Sequence, residues 1–250
     1  MTLRRVGPYG FRQTVTRAEL RKQIPGWYRW WHHAGLVAAF CLGGIALCLS
    51  QLDSPGLGDA LLFVAMLLVA NLGEWAVHIR SLHRPVFPYA PFERHTQHHA
   101  FFGFETMAVD RLADMYWVIF PPWALPLMAV SLLPLFGLFA LFSWNAAWVF
   151  LLAVFVYYGV YEIFHSLAHL PGTHPAAGIP WVRAITHHHR VHHDPRLMKR
   201  WNFNFAMPIF DRLFGTLYPS PSRAARDLPE GGVAPAPLVE EGAEEIVRAR

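Results

Sequence analysis

Residues 144–169 read WNAAWVFLLAVFVYYGVYEIFHSLAH, an apolar run long enough to cross a bilayer that closes on two histidines four residues apart. No Lys or Arg occurs between Arg111 and Arg183, so the stretch lacks the charged face that a soluble amphipathic helix carries. One carboxylate, Glu162, interrupts it three residues before His165. The same construction appears at 57–79, where Glu74 precedes His78 by four residues and His83 follows. Basic residues are again absent, with none between Arg29 and Arg80.

The composition of the whole chain agrees with these two runs. Its 250 residues are 54% hydrophobic and only 15% charged, with a mean hydropathy of +0.26. A soluble domain carries roughly 25% charged residues. The deficit excludes a disordered chain, a coiled coil or a collagen-like fibre. Cys41 and Cys48 lie together in one apolar run, which excludes a disulfide framework and a cysteine-based metal site.

Four apolar runs emerge, at about 34–52, 57–79, 114–133 and 144–168. Asp53-Ser54-Pro55-Gly56 turns the chain between the first two, and the stretch from Pro134 to Ser143 separates the last two. Pro121, Pro122 and Pro126 would kink or divide the third run. Seven Lys and Arg fall in 1–33, four in 80–111 and ten after 182, with none in the short turns. Four spans put all three basic segments on one face, which the positive-inside rule makes cytoplasmic along with both termini. The expected fold is all-α: an integral membrane four-helix bundle of two transmembrane hairpins, with a cytoplasmic helical cap. Residues 1–33 read as a basic cytoplasmic or interfacial segment without a signal peptide, and 34–218 as the membrane domain. Residues 219–250, rich in Pro, Ala, Gly and Glu, read as a disordered tail.

Ten of the fifteen histidines form four clusters: His78 and His83; His95, His98 and His99; His165 and His169; His189, His192 and His193. Helical residues at i, i+3 and i+4 share a face, so two such imidazoles reach one metal ion. HxxHH adds a third ring, enough for one ion or for bridging two. His78 and His83 are i and i+5 and diverge by about 140° on an ideal helix. The helix is therefore expected to unwind before Pro85 so that His83 swings back. Under the four-span topology all ten rings gather at one membrane face, although histidine played no part in deriving it. Ten imidazoles exceed one ion, or two closed four-coordinate zinc sites. They suit two ions with open coordination, without naming the metal. His32, His33, His174, His187 and His188 follow no such pattern, and the register of the His187-His188-His189 run is open.

The ordered boxes, each in place relative to four spans, resemble the fatty acid hydroxylase superfamily, which includes sterol desaturases and sphingolipid fatty acid hydroxylases. The stretch from Asn202-Phe203-Asn204 through Pro208 to Thr216 resembles the segment that follows the last histidine box there. The resemblance implies a non-haem di-iron oxygenase of a lipid (acyl chain, sphingolipid or sterol-like), with O2 as co-substrate and two external electrons. Iron is the expected metal, and zinc could replace it in a purified sample. The 33 residues before the first span cannot hold a cytochrome b5 domain, so a separate donor of ferredoxin or cytochrome b5 type is expected at the basic face. Nucleic acid is not an expected partner. No catalytic side chain is expected beyond the metal centre; Glu74, Glu162, Asp194 and Asn202 are candidates for orienting the imidazoles. A desaturase of the same family, a histidine-rich metal transporter and a bis-histidine haem protein are the alternatives.

Overall fold

The computed structural model describes residues 5–6, 10–11 and 16–219; the tail read from 219–250 lies outside them apart from its first residue. The described residues are helical except for one strand pair, β1 (Arg5–Val6) against β2 (Gly10–Phe11). The helices are α1 (Arg17–Arg21), α2 (Trp30–Ser50), α3 (Leu57–Val77), α4 (Ala90–Phe101), α5 (Ala124–Ala140), α6 (Trp144–Ala168), α7 (Pro180–His192) and α8 (Ile209–Leu213).

Three helices are long and apolar enough to cross a membrane: α2, α6, and α3 with its continuation to Leu82. The third expected span differs. Pro121 and Pro122 precede α5, which begins at Ala124 and runs through Pro134 to Ala140, so 114–133 is not one helix. Residues 112–117 form a separate 3-10 turn. The expected turn at 134–143 shrinks to Leu141–Ser143. Proline breaks helices in water because a backbone partner is lost, but an apolar surrounding offers no water to take its place, so the helix continues. At 17 residues α5 is about 25 Å long, short of the roughly 30 Å hydrocarbon core.

The helical pairing also differs from two self-contained hairpins. α6 is the axis, packed on by α2, α3, α5 and α7, while α2 and α3 barely touch each other. Gly44 explains the closeness of α2 to α6. A Cβ there would stand 2.5 Å from the Phe155 ring, so only glycine admits that side chain without displacement. Outside its face on α6, α3 leaves large apolar side chains such as Leu57, Leu61, Val64, Leu68 and Val69 exposed, as a helix does when lipid is its solvent.

The two turns at the far end are tied together. Asn145 accepts from the Asp53 amide at 3.0 Å and donates to the Asp53 carbonyl at 2.8 Å. Every histidine box lies at the opposite end. There the packed core is found, around Phe101, Phe102, Trp117, Val118, Ile119 and Leu125. Each fully buried phenylalanine is worth roughly 1.5–3 kcal/mol relative to exposure. α1 closes this cap through ions: Arg21 Nε and Nη2 reach Asp114 at 2.9 and 2.6 Å, and Arg17 donates to the Thr106 and Ala108 carbonyls. Two of the N-terminal basic residues are thus committed inside the protein.

Candidate metal centre

The first box sits on a change of helix type. Instead of unwinding, α3 widens into a π-turn over His78–Leu82, and the His83 amide donates to the His78 carbonyl at 3.2 Å. An i to i+5 bond places residues five apart above one another. The His78 and His83 rings accordingly stack with centroids 5.1 Å apart and planes 19° apart. On α4 and α7 each HxxHH box divides. His95 and His99 join His78, His83 and His192, whereas His98 joins His169, His189 and His193, each set having ligand nitrogens within 4.8 Å of one another. An i, i+4 pair shares one direction, and the i+3 ring points about 100° away, toward the neighbouring set. His165 Nε2 lies 3.3 Å from His98 Nε2, at the edge of the second set.

The protonation states test whether these sets fit metal. His98 Nδ1 lies 2.8 Å from the Trp117 carbonyl, and His193 Nδ1 contacts the Phe102 carbonyl. A carbonyl only accepts, so both Nδ1 atoms carry the proton and both Nε2 atoms present lone pairs. Those Nε2 atoms nevertheless face each other at 3.1 Å, and neither can donate. His78, His169 and His192 are oriented in the same way by the carbonyls of Phe203, Met107 and Trp201, at 2.6, 2.7 and 2.9 Å. Their Nε2 atoms meet those of His95, His189 and His83 at 3.1, 3.1 and 3.0 Å. The facing His98 and His193 lone pairs need a cation between them, and the other three contacts repeat the same geometry. Two nitrogens each about 2.1 Å from one ion are about 3.0 Å apart at a right angle and about 3.4 Å apart at the tetrahedral angle. The observed 3.0–3.3 Å lies near the right-angle limit, which leaves room for more than four ligands. Burial, and then neighbouring rings, hold His95, His99, His189, His192 and His193 well below the ordinary imidazole range, in the neutral form that ligates metal.

Among the described residues none of the four candidate orienting residues hydrogen-bonds to one of these ten rings. Backbone carbonyls take that role, and the candidates act on the loops that carry the carbonyls. Glu74 accepts from the Phe205 and Ala206 amides at 2.6 and 3.2 Å and from Asn204 Nδ2 at 3.2 Å, and it contacts the Tyr157 hydroxyl. Glu162 Oε1 accepts from the Phe120 amide at 3.2 Å and the Tyr158 hydroxyl at 2.6 Å; no partner is found for its Oε2 among the described residues. Asn202 has φ +60°, a left-handed conformation that asparagine tolerates, and donates to the His188 carbonyl at 2.9 Å. Asp194 pairs with Arg196 at 2.5 Å.

Sequence reasoning missed Asn204 and Asp211. Asp211 accepts from the Phe203 and Asn204 amides at 2.9 and 2.7 Å, fixing the carbonyl that holds His78. Asn204 accepts from the Phe210 and Asp211 amides at 3.0 and 3.2 Å. Their signal was two polar residues within an apolar, aromatic segment. The five remaining histidines also have places. His188 donates to the Asn204 carbonyl at 2.8 Å, which settles the register of the last box, and buried His33 contacts the Phe120 carbonyl at 2.8 Å. His32 lies against Trp31 with the ring planes tilted by 55°, His174 accepts from the Ala176 amide, and His187 is exposed.

A match to the fatty acid hydroxylase family spans residues 63–216, a stretch that holds all ten histidines. The chain belongs to the fatty acid hydroxylase family. Comparisons with curated proteins and with solved structures give no significant match. For the fatty acid hydroxylase family, lipid oxidation at a metal centre and a membrane setting are the frame into which this geometry fits. A cavity of about 30 Å³, room for about two water-sized molecules, lies beside His95, His98 and His165, with Arg94, Tyr161 and residues 117–121 in its wall.

Proposed function

We propose that this chain is a membrane-bound di-iron oxygenase that hydroxylates an unactivated C–H bond of a lipid, using O2 and two electrons from a separate protein. The observation that carries the reading is the pair of sets of converging ring nitrogens, in which five rings have Nδ1 committed to a backbone carbonyl and so turn an Nε2 lone pair inward. His78, His83, His95, His99 and His192 would hold one ion, and His98, His165, His169, His189 and His193 the other. When bound, the two irons supply O2 reduction and the oxidising power that breaks the C–H bond. The protein's own part is position. The Phe203, Trp201, Trp117, Met107 and Phe102 carbonyls keep His78, His192, His98, His169 and His193 in the tautomer that presents Nε2. Phe205 packs on His189 with centroids 4.3 Å apart and Phe102 on His169 at 4.3 Å, which excludes water from the deeper set.

The two turns at 51–56 and 141–143 would lie on the outer side and the histidine end on the cytoplasmic side, where exposed Lys199, Arg200 and Arg196 offer an acidic donor a surface. Nitrogen ligands gathered at the ends of the spans, rather than near their midplane, argue against a transporter. Two sets of rings exceed what a bis-histidine haem needs.

The test is metal-loaded protein in detergent, given O2, a reductase system and total lipid. About two metal ions per chain and lipid products heavier by one oxygen are expected. Loss of two hydrogens instead would make it a desaturase, and less than one ion per chain would remove the dinuclear reading. Both native cysteines are buried, so single cysteines placed at Ser54 and Lys199 report sidedness by thiol labelling from opposite sides.

A further inference from the structure

Arg94 is a half-buried cation without a carboxylate partner among the described residues. It sits one residue before His95 on α4, and among the described residues no carboxylate comes within ion-pair distance of it. Its Nη2 donates to the Tyr116 carbonyl, and its guanidinium lies 4.6 and 4.2 Å from the centroids of the Tyr116 and Trp117 rings. Ring faces attract a cation but do not neutralise it. The other half-buried arginine cluster shows the contrast: Arg21 and Arg17 both face Asp114, whose side chain is fully buried.

The position makes the missing anion harder to explain by packing alone. Arg94 lines the cavity whose other polar walls are His95, His98, Tyr161 and His165. The ten rings near it are uncharged ligands, and among the described residues no carboxylate hydrogen-bonds to any of them. Metal ions bound there would therefore add positive charge that no protein group offsets. A lone cation next to that charge is unfavourable unless something negative enters between them.

We propose that this cavity is an anion subsite in which the Arg94 guanidinium holds a carboxylate group against the His95, His98 and His165 side of the metal centre. Guanidinium and carboxylate are matched planar groups, and the charge-assisted pair is the strong form of such a bond. The carboxylate comes either from the head of the lipid itself or from a small free acid. In the first case Arg94 also sets which carbon faces the metal centre, a few bonds from the anchored head. The inference needs metal-loaded protein but not the oxidation reaction, so it stands or falls separately from the oxygenase reading.

The experiment is equilibrium binding, by calorimetry in detergent, to wild type, Arg94→Gln and Arg94→Lys, each checked for metal per chain. The probes are palmitate, hexadecanol and formate. A lipid head in the subsite predicts that wild type binds palmitate at least about tenfold more tightly than hexadecanol. Arg94→Gln removes that preference while leaving hexadecanol binding unchanged, and Arg94→Lys keeps part of it. Equal binding of palmitate and hexadecanol, with formate binding that Arg94→Gln abolishes, assigns the subsite to a small free acid. If wild type shows neither the palmitate preference nor formate binding, or if Arg94→Gln retains them, the proposal is overturned. Because the first of those results needs no variant, a misfolded Arg94→Gln does not protect it.

Discussion

The set around His95 and the set around His98 draw on the same two HxxHH boxes but occupy different surroundings. In the first, His83 and His95 are half-buried and reach toward the surface beyond α3. In the second, His98, His169, His189 and His193 are all buried, under Phe102 and Phe205. The first set depends on a π-turn and on the 201–206 loop; the second is held by α4, α6, α7 and the carbonyls of 102, 107 and 117. One ligand chemistry therefore yields a more accessible set and one sealed except where His98 and His165 line the cavity.

The largest expected effect breaks both. His98→Ala with His192→Ala removes the i+3 ring of each box and should leave less than one metal ion per chain by elemental analysis, whereas His192→Ala alone should spare the sealed set. Next is the loop beneath the accessible set. Glu74→Ala strips the Phe205 and Ala206 amides and Asn204 of their acceptor and should cost about 2–4 kcal/mol in unfolding free energy. Its metal loss should come from the accessible set first, with Glu74→Gln intermediate.

Smaller effects separate the cap from the membrane helices. Burial raises the Asp114 carboxyl, but the Arg21 guanidinium and the Arg111 and Asp110 amides outweigh it and hold the group below the usual carboxylate range. A depressed folded value means its stabilisation is present at neutral pH and is lost as pH falls through that value. Wild type should therefore lose stability below about pH 4, whereas Asp114→Asn should start roughly 2–4 kcal/mol lower at neutral pH and show a shallower acid transition. In the membrane region, Gly44→Ala should cost roughly 1–3 kcal/mol, because Phe155 must move. Metal content should not change. Chelator titration should sharpen the comparison further, with one ion leaving readily and the other on a slower phase.

The ends of α2, α3 and α6 were legible because length, apolarity and missing charge are local properties. The ten histidines were legible as clusters for the same reason. Pro121 and Pro122 signal a kink or a division of the third run, and the structure shows the division, with α5 beginning only after them. His83 was expected to return by unwinding, since α- and π-turns differ by one hydrogen bond that no side chain announces. Glu74 and Glu162 stood out as carboxylates in apolar runs, yet their partners are loop amides far along the chain.

The sequence by itself determined that the chain is helical, belongs in a membrane and carries ten imidazoles at helical spacings, because each of these rests on residue type and short-range period. It determined neither how each HxxHH box divides between two sets nor which nitrogen of each ring faces inward. Tertiary structure decided both, since the groups that select the nitrogen are backbone carbonyls at 102, 107, 117, 201 and 203. Every residue has a carbonyl, so only the folded chain picks out the five that matter. The same holds for Arg94, an ordinary basic residue in sequence that becomes a half-buried cation with no carboxylate partner among the described residues only when α4 packs against Tyr116 and Trp117.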